Sequence, residues 1–393
     1  KPVLALWRSK AVILAGIAVL VVAVGYRVAN RLVLSKRGAE GAPATAFSPP
    51  PHSLAVLPFV NLSGDKEQEY FSDGLTEELL NSLAAINELQ VAARTSAFSF
   101  KGKNDDIGTI ARKLNVGAIL EGSVRRSGNT IRISTELINA VTGFQLWSKS
   151  YDRDLGDVLK LQTEIATAVA GALKVTLLGD IAQKIELGGT RNPAAFDAYL
   201  RASTAMLVRH NEEKDVPSAI AVYTEAIRLD PNYALAYAGR SNALATFAGE
   251  AATVEAVHKN YEKAERDALR ALEIAPALAE AHLALAVVYG GTLNFARASG
   301  EYEQALALAP TDAEVLRQSG QFAALTGHFD AGIVSLRRAV TLDPLDRHTY
   351  GLLGHVLYAA RRYGEAATAF AAGTSLNPDY EPFYGYRGLA FYG

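Results

Sequence analysis

The sequence predicts an α+β protein in three parts: a single transmembrane helix, a mixed-sheet α/β domain and an all-α superhelix of repeated helical hairpins. An apolar run without charge covers Ala11 to Tyr26, and strand-like and helix-like patterns alternate from Ser53 onward. Further along, a fixed interval of 34 residues separates Pro276, Pro310, Pro344 and Pro378. A period of this length is typical of stacked two-helix repeats, so we expect half of the chain to bind a partner.

The apolar run is the predicted membrane segment. Its 16 residues would extend about 24 Å at about 1.5 Å per residue. Apolar residues resume as far as Leu34 if Arg27 and Arg31 reach the headgroups. We predict a cytoplasmic stub at residues 1–10, a transmembrane helix at 11–34 and an Ala/Pro-rich linker at 35–52. A signal peptide and a buried core helix are the alternatives, and the flanking basic residues leave the orientation open.

Residues 53–175 are predicted to form the mixed-sheet domain. Apolar and alternating segments indicate strands, while helix-type spacing of apolar residues indicates helices over 67–85 and 155–173. Two alternating segments flank Ser127-Gly128-Asn129, which is typical of a hairpin turn. The interleaving of these elements predicts helices packed on a mixed sheet.

These segments resemble the TolB-N-terminal-like domain of bacterial signalling proteins. The resemblance rests on SLAVLPFVNLSGDKEQEYFSDGLTEELLNSLA followed by LNVGAILEGSVRRSGNTIRISTELINAVTGFQLWSKSYDRDL, and it covers about residues 53–173. It implies a membrane helix before the domain, helical repeats after it, and a C-terminal region outside the cytoplasm. It also implies an output domain before residue 1, which could be a winged-helix DNA-binding domain, a class III nucleotide cyclase or a protein kinase. Because the chain starts at Lys1, we expect it to be a fragment that lacks this domain.

Counting from the prolines places small residues where the two helices of a repeat cross closely. With position 32 of the period set at each proline, position 24 holds a bulky residue, namely Tyr302, Leu336 or Phe370. Positions 8, 20 and 27 hold Ala286, Ala298, Ala305, Gly320, Gly332, Ala339, Gly354, Ala366 and Gly373. This pattern resembles the tetratricopeptide repeat (TPR). We predict a connector at 176–195 and a TPR array at 196–393, with five repeats and part of a sixth. Eleven extra residues before Pro276 predict a longer loop or helix there.

The resemblance to TPR proteins also implies a concave groove lined by the first helix of each repeat. The side chains expected to face it are Asn242, Arg317, Gln321, His348, His355 and Tyr358. Either they contact a protein or peptide segment, or they are solvated surface residues. The Lys/Asn pattern that clamps carboxylate tails in chaperone-binding members is not reproduced, because Ala238 occupies one of its positions.

Motifs for catalysis, cofactors and metals are not found in the sequence. There is no cysteine, which excludes disulfides, thiolate nucleophiles and cysteine-ligated zinc. The charge is balanced, with 39 Lys and Arg against 41 Asp and Glu, so no nucleic-acid surface is predicted. Asp105-Asp106 and Glu77-Glu78 could be read as catalytic carboxylates, but a helix cap and an early helical turn explain them better. We expect no catalytic, cofactor-binding or metal-binding residue in this chain.

The predicted function is therefore a membrane-anchored TPR module that binds protein or peptide. It would serve as the extracytoplasmic sensing or scaffolding part of a bacterial signalling protein, single-pass in the inner membrane with its C-terminal region in the periplasm. The alternative is the regulatory region of a winged-helix transcriptional regulator, a class III adenylate or guanylate cyclase, or a protein kinase. The chain itself is not expected to be an enzyme.

Overall fold

The computed structural model describes residues 47–177, 181–207 and 215–376, together with Pro378. The described residues from Pro49 onward belong to one compact unit. Its first part contains β1 (Ser53–Val56), β2 (Val60–Asn61), α1 (Glu69–Ala84), β3 (Gln90–Val91), α2 (Arg94–Phe98), α3 (Ile107–Leu114), β4 (Ala118–Ser127), β5 (Thr130–Asn139), β6 (Gln145–Asp154) and α4 (Val158–Ala172). We call this part the sheet domain.

The helices that follow are α5 (Ile181–Ile185), α6 (Pro193–Leu207), α7 (Val216–Leu229), α8 (Ala234–Gly249), α9 (Val254–Ile274), α10 (Ala279–Gly291), α11 (Phe295–Leu308), α12 (Ala313–Leu325), α13 (Phe329–Leu342), α14 (Arg347–Ala359) and α15 (Tyr363–Leu376). We call α6 to α15 the array.

The sheet is mixed. Its strand order is β3-β1-β4-β5-β6, with β2 also paired to β4. The short strands β1, β2 and β3 pair in parallel, whereas β4, β5 and β6 form an antiparallel meander. Trp147 and Tyr151 pair with Leu137 and Ile133, so all four side chains share the face on which α4 packs. Helices α1 and α4 pack against each other, which buries the apolar face of the sheet.

In the described residues, the array consists of five hairpins of consecutive helices: α6/α7, α8/α9, α10/α11, α12/α13 and α14/α15. The small residues at the crossings have a steric reason. A Cβ on Gly332 would lie 2.7 Å from the carbonyl oxygen of Gly320, and one on Gly354 would lie 2.5 Å from the ring of Phe370. The 34-residue repeat is therefore a TPR fold. The eleven extra residues fall in the second hairpin, where α9 is 21 residues long.

The hydrophobic core does not stop at the end of the sheet domain. One cluster runs from Leu54 and Val56 of β1 through α1 and α4 to Phe196 of α6 and Tyr223 of α7. Later repeats have separate clusters, such as the one around Phe370. The first hairpin of the array thus folds on the sheet domain, whereas the cluster around Phe370 is built from residues of α13, α14 and α15.

The predicted fold class requires a correction. None of the helices in the described part of the chain is long and apolar enough to span a membrane. The 21-residue α9, for example, carries charged side chains along its length. The single transmembrane helix, and the single-pass inner-membrane location deduced from it, are therefore not retained. The segment 11–34 itself lies outside the described residues, as does 379–393 with the partial sixth repeat. The supported fold is a mostly helical TPR array with a mixed sheet.

Candidate binding site between the array and the sheet domain

A cavity of about 730 Å³ lies between the sheet domain and the array. One wall is formed by α1 and α2, and the other by the N-terminal ends of α12 and α14 with the turns that precede them. Its charged lining residues are Asp73, Glu77, Arg94, Lys103, Asp312, Glu314, Arg317, Asp343 and Asp346. Six carboxylates thus face three cationic side chains. We call this space the inner cavity.

The six groove residues predicted from the sequence lie on three helices. Asn242 is on α8, Arg317 and Gln321 are on α12, and His348, His355 and Tyr358 are on α14. Arg317 lines the inner cavity, whereas the other five are not part of its lining. The structure therefore places one predicted residue in the cavity and leaves the groove role of the six as a prediction.

Arg317 is held in a fixed position by its own helix. Its Nε donates to Glu314 Oε2 at 2.8 Å and its Nη2 to Glu314 Oε1 at 2.5 Å, and only 16% of its side chain is exposed. Two of the other residues contact aromatic rings: His355 lies 5.2 Å from Phe370 and Tyr358 lies 5.3 Å from Tyr363, between ring centroids. These contacts orient the side chains on α12 and α14.

Helix α2 forms the polar contact between the sheet domain and the later repeats. The Ala93 N–H donates to the carbonyl oxygen of Leu342 at 2.8 Å, and the Ser96 N–H donates to Asp343 Oδ1 at 2.9 Å. The Ser96 hydroxyl also donates to Asp343 Oδ1, and it accepts from the Leu345 N–H at 2.9 Å. Sequence analysis missed α2, because five residues are too short for a periodic signal.

A second contact joins α1 to the first hairpin. The Tyr70 hydroxyl donates to Asp197 Oδ1 at 2.8 Å, and Arg126 pairs with the same carboxylate. The Tyr199 hydroxyl donates to Glu78 Oε1 at 3.2 Å. The Tyr199 ring lies 5.1 Å from the ring of Tyr233, so Glu78 ends in an aromatic environment.

Burial perturbs several carboxyl groups around these contacts. It raises the pKa of Glu78 to about 8, helped by the nearby charges of Glu77 and Glu280. Burial also raises the pKa of Asp343 to about 6, although hydrogen bonds from Ser96 oppose the rise. The pKa of Asp73 and that of Glu77 are raised for the same reason. Perturbed carboxyl groups that line a cavity mark it as a candidate functional site.

The two acidic pairs singled out in the sequence have different positions. Asp106 caps α3 by accepting from the Thr109 N–H at 2.9 Å, as predicted. Glu77 and Glu78 do not lie in an early turn: they are in the middle of α1, where Glu77 faces Arg94 at 3.2 Å and Glu78 is buried. Both lie more than two turns beyond Glu69, where α1 begins, so the early-turn interpretation was wrong.

Comparison with known proteins gives two matches in sequence. Residues 51–168 match the family of the HilA/YgeH-like transcriptional regulator, second domain. The chain is also similar to Putative adenylate cyclase 3 of Rhizobium meliloti (strain 1021), with 39% identity over 211 residues. This alignment covers 52% of the chain and 36% of the relative, so the chain spans little more than a third of that protein.

Solved TPR structures also resemble the chain. TTC0263 from Thermus thermophilus, a thermophilic TPR protein, is 15% identical, with a TM-score of 0.42 over 51% of this chain and 100% of that one. YrrB, described as a TPR protein with an unusual peptide-binding site, is 20% identical, with a TM-score of 0.34, and the match covers 51% of this chain and 89% of YrrB. Because both TM-scores are below 0.5, the TPR fold rests on the helical hairpins of this chain and not on these similarities.

Proposed function

We propose that this chain is a regulatory protein-binding module whose array takes up a segment of a protein or peptide on the face turned toward α1 and α2. The observation that carries the proposal is the inner cavity, which is roomy and is lined by charged side chains from both the array and the sheet domain. Arg317, already predicted as a groove residue, lies in its wall. The excess of carboxylates favours a partner segment with basic side chains.

In the intact protein, this module would regulate an output domain. Similarity to a protein named putative adenylate cyclase supports a nucleotide cyclase as that output. The match to the second domain of a HilA/YgeH-like transcriptional regulator supports a DNA-binding output instead. A protein kinase was the third expectation, and no comparison favours it. The resemblance of residues 53–173 to the TolB-N-terminal-like domain stays a prediction.

Site-specific photo-crosslinking tests the binding face. A photoreactive amino acid at Gln321, which is exposed one turn beyond Arg317, should form a crosslink to a protein in the producing cell. The matched control is the same amino acid at Val334, which is 60% exposed on α13, a helix that contributes no residue to the lining of the inner cavity. Asp73→Lys should reduce the Gln321 crosslink by about tenfold, because it replaces a carboxylate of the cavity wall with a charge that repels a basic partner segment. Equal crosslinking from Gln321 and Val334 would contradict the proposal.

The proposal also assigns no nucleotide chemistry to this chain. The purified chain with ATP, GTP and Mg²⁺ should yield no cyclic nucleotide above the buffer control. The measurement is made at several chain concentrations, because a signal that scales with protein would show turnover by the chain itself. Such a signal would overturn the assignment of the module to regulation.

A further inference from the structure

The polar contact of α2 with the later repeats is small. It includes the hydrogen bonds from Ala93 and Ser96 to Leu342 and Asp343 and the return bond from Leu345 to Ser96, and Thr95 also hydrogen-bonds the Asp343 carboxylate. Nearby, the Thr311 hydroxyl lies 3.4 Å from the Ala84 carbonyl oxygen. Beside these bonds the two surfaces separate to form the inner cavity instead of packing. Such a contact is easier to open than a buried apolar one.

The leucine and aspartate that correspond to Leu342 and Asp343 in an earlier repeat accept similar hydrogen bonds. There, the carbonyl oxygen of Leu229 accepts from Asn192 Nδ2 at 2.9 Å, and Asp230 accepts from the Thr190 hydroxyl. In both places a Leu-Asp-Pro turn binds a hydroxyl and an N–H from outside the array. The two turns in between have Ala275 and Ala309 where the aspartate stands, and alanine offers no side-chain acceptor.

The two Leu-Asp-Pro turns differ in what they hold. Thr190 and Asn192 precede α6 directly, so the earlier turn fixes a segment that is already tethered by the chain. Ser96 is 247 residues from Asp343 in sequence, and the later turn therefore closes a long loop. The residues between Ser96 and Asp343 are folded, so the later turn joins two parts of the molecule that no short stretch of chain holds together.

We propose that the turn Leu342–Asp346 and helix α2 form a releasable latch, which holds the later repeats closed over α1 and restricts access to the inner cavity. Opening separates α12 to α15 from α2, while the first hairpin stays on the sheet domain. A partner segment then enters the cavity from the opened side. This last step rests on the proposed function, whereas the latch itself does not.

The charges around Asp343 make the latch sensitive to protonation. Asp346 and Tyr350 face it from the array, while Arg94 of α2 and Glu77 of α1 line the same cavity. Asp346 adds a like charge, and burial disfavours the ionised form of Asp343. Protonation of Asp343 therefore favours the closed state.

The test uses the full 393-residue chain and one introduced cysteine, which is unique because the sequence contains none. Ala313→Cys places a thiol in the wall of the inner cavity. The probe is a polyethylene-glycol maleimide, whose reaction rate measures access to that wall. Adding Asp343→Ala removes both acceptor contacts and should raise the rate by about tenfold, the equivalent of about 1.4 kcal/mol.

Two matched variants separate the latch from a general loosening. Asp343→Asn keeps the Oδ1 acceptor for both Ser96 bonds and is uncharged like the protonated carboxyl group, so the labelling rate should not rise above that of the parent. Asp312→Ala removes another cavity carboxylate, which caps α12 through the Val315 N–H and has no bond to α2. It should not raise the rate to the level of Asp343→Ala.

Hydrogen exchange provides the second readout in the same proteins. In Asp343→Ala, exchange should accelerate at the amides of Ala93, Ser96 and Leu345, which donate in the latch, and stay unchanged in α6. An unchanged labelling rate with unchanged exchange at these amides would overturn the latch. Accelerated exchange in α6 as well would also overturn it, because the opening would then not be confined. If the latch opens as described but Gln321 forms no crosslink, the latch stands and the proposed function fails.

Discussion

Among the contacts between the array and the sheet domain in the described residues, two differ in kind. At the first hairpin, Phe196 and Tyr223 join the cluster that contains the strands, so the contact is part of the hydrophobic core. At the turn Leu342–Asp346, the contact is made by hydrogen bonds around a cavity. The shared core makes folding of the first hairpin depend on folding of the sheet. The hydrogen-bonded contact can open without unfolding the later repeats, which the proposed latch requires.

The largest expected effect comes from breaking the core-sharing contact. Phe196→Ala and Phe370→Ala remove the same side chain from sites that are each 1% exposed, and each should cost about 3–5 kcal/mol. The reach of the damage should differ. Because Phe196 shares the sheet-domain core, its loss should accelerate hydrogen exchange in α1 and β4, whereas loss of Phe370 should affect only α12 to α15.

Hydrogen exchange measured by mass spectrometry on both variants decides the point. If Phe196→Ala leaves exchange in β4 unchanged, the first hairpin folds independently of the sheet, and the two contacts with the sheet domain do not differ in this respect.

The next effect concerns the ionisation of Glu78 at the core-sharing contact. With its pKa raised to about 8, Glu78 is protonated in the folded chain at a pH where the unfolded chain has released the proton. The unfolding free energy should therefore fall as the pH rises from about 5 to about 8. Glu78→Gln, which is neutral at every pH, should remove roughly 2–4 kcal/mol of this fall.

Urea unfolding at pH 5 and pH 8 measures this difference. Glu67→Gln is the control, since Glu67 lies on the surface before α1. A parent protein that is equally stable at both pH values would show that Glu78 is ionised in the fold.

A smaller effect is expected at the polar contact. Because the closed state raises the pKa of Asp343 to about 6, at about pH 6 and below it binds a proton that an open, solvated carboxylate would have released. The latch should therefore tighten as the pH falls from 7.5 to 5.5. Labelling of Ala313→Cys, corrected for the pH dependence of the maleimide reaction with a free thiol, should slow by about threefold to tenfold, and Asp343→Asn should abolish the change.

If corrected labelling is instead faster at pH 5.5 than at pH 7.5, the ionised carboxylate of Asp343 holds the latch. Asp343 would then act as a simple hydrogen-bonded anchor with no protonation switch.

Much of the fold could be predicted because its signals are local. The 34-residue period placed the repeats, and the steric contacts at Gly332 and Gly354 explain why small residues recur there. The alternation around Ser127-Gly128-Asn129 placed the hairpin of β4 and β5. The membrane segment illustrates the limit: an apolar run and the family resemblance suggested it, and the helices of the described chain do not support it.

The candidate site was harder to predict because its residues meet across long sequence separations. Arg317 was found through its position in the repeat. The signals for α2 and Asp343 were absent, since a five-residue helix has no period and Asp before Pro reads as an ordinary turn. Glu78 was assigned to an early turn, because nothing in the sequence showed that tyrosines from α6 and from the turn before α8 would surround it.

The smallest effect is expected far from both contacts, at an ion pair on the sheet. Arg132 donates from Nε and Nη2 to Asp152 at 2.7 and 2.9 Å, but both side chains are more than half exposed, at 57% and 65%. Solvent screening leaves such exposed pairs little net effect on stability. Arg132→Ala should therefore leave the urea midpoint of unfolding close to that of the parent and should leave maleimide labelling of Ala313→Cys at the parent rate. An increase in labelling would mean that the sheet domain as a whole, and not the turn Leu342–Asp346, controls access to the inner cavity. The reason is that Arg132 lies on β5, so its loss can affect the latch only through the sheet.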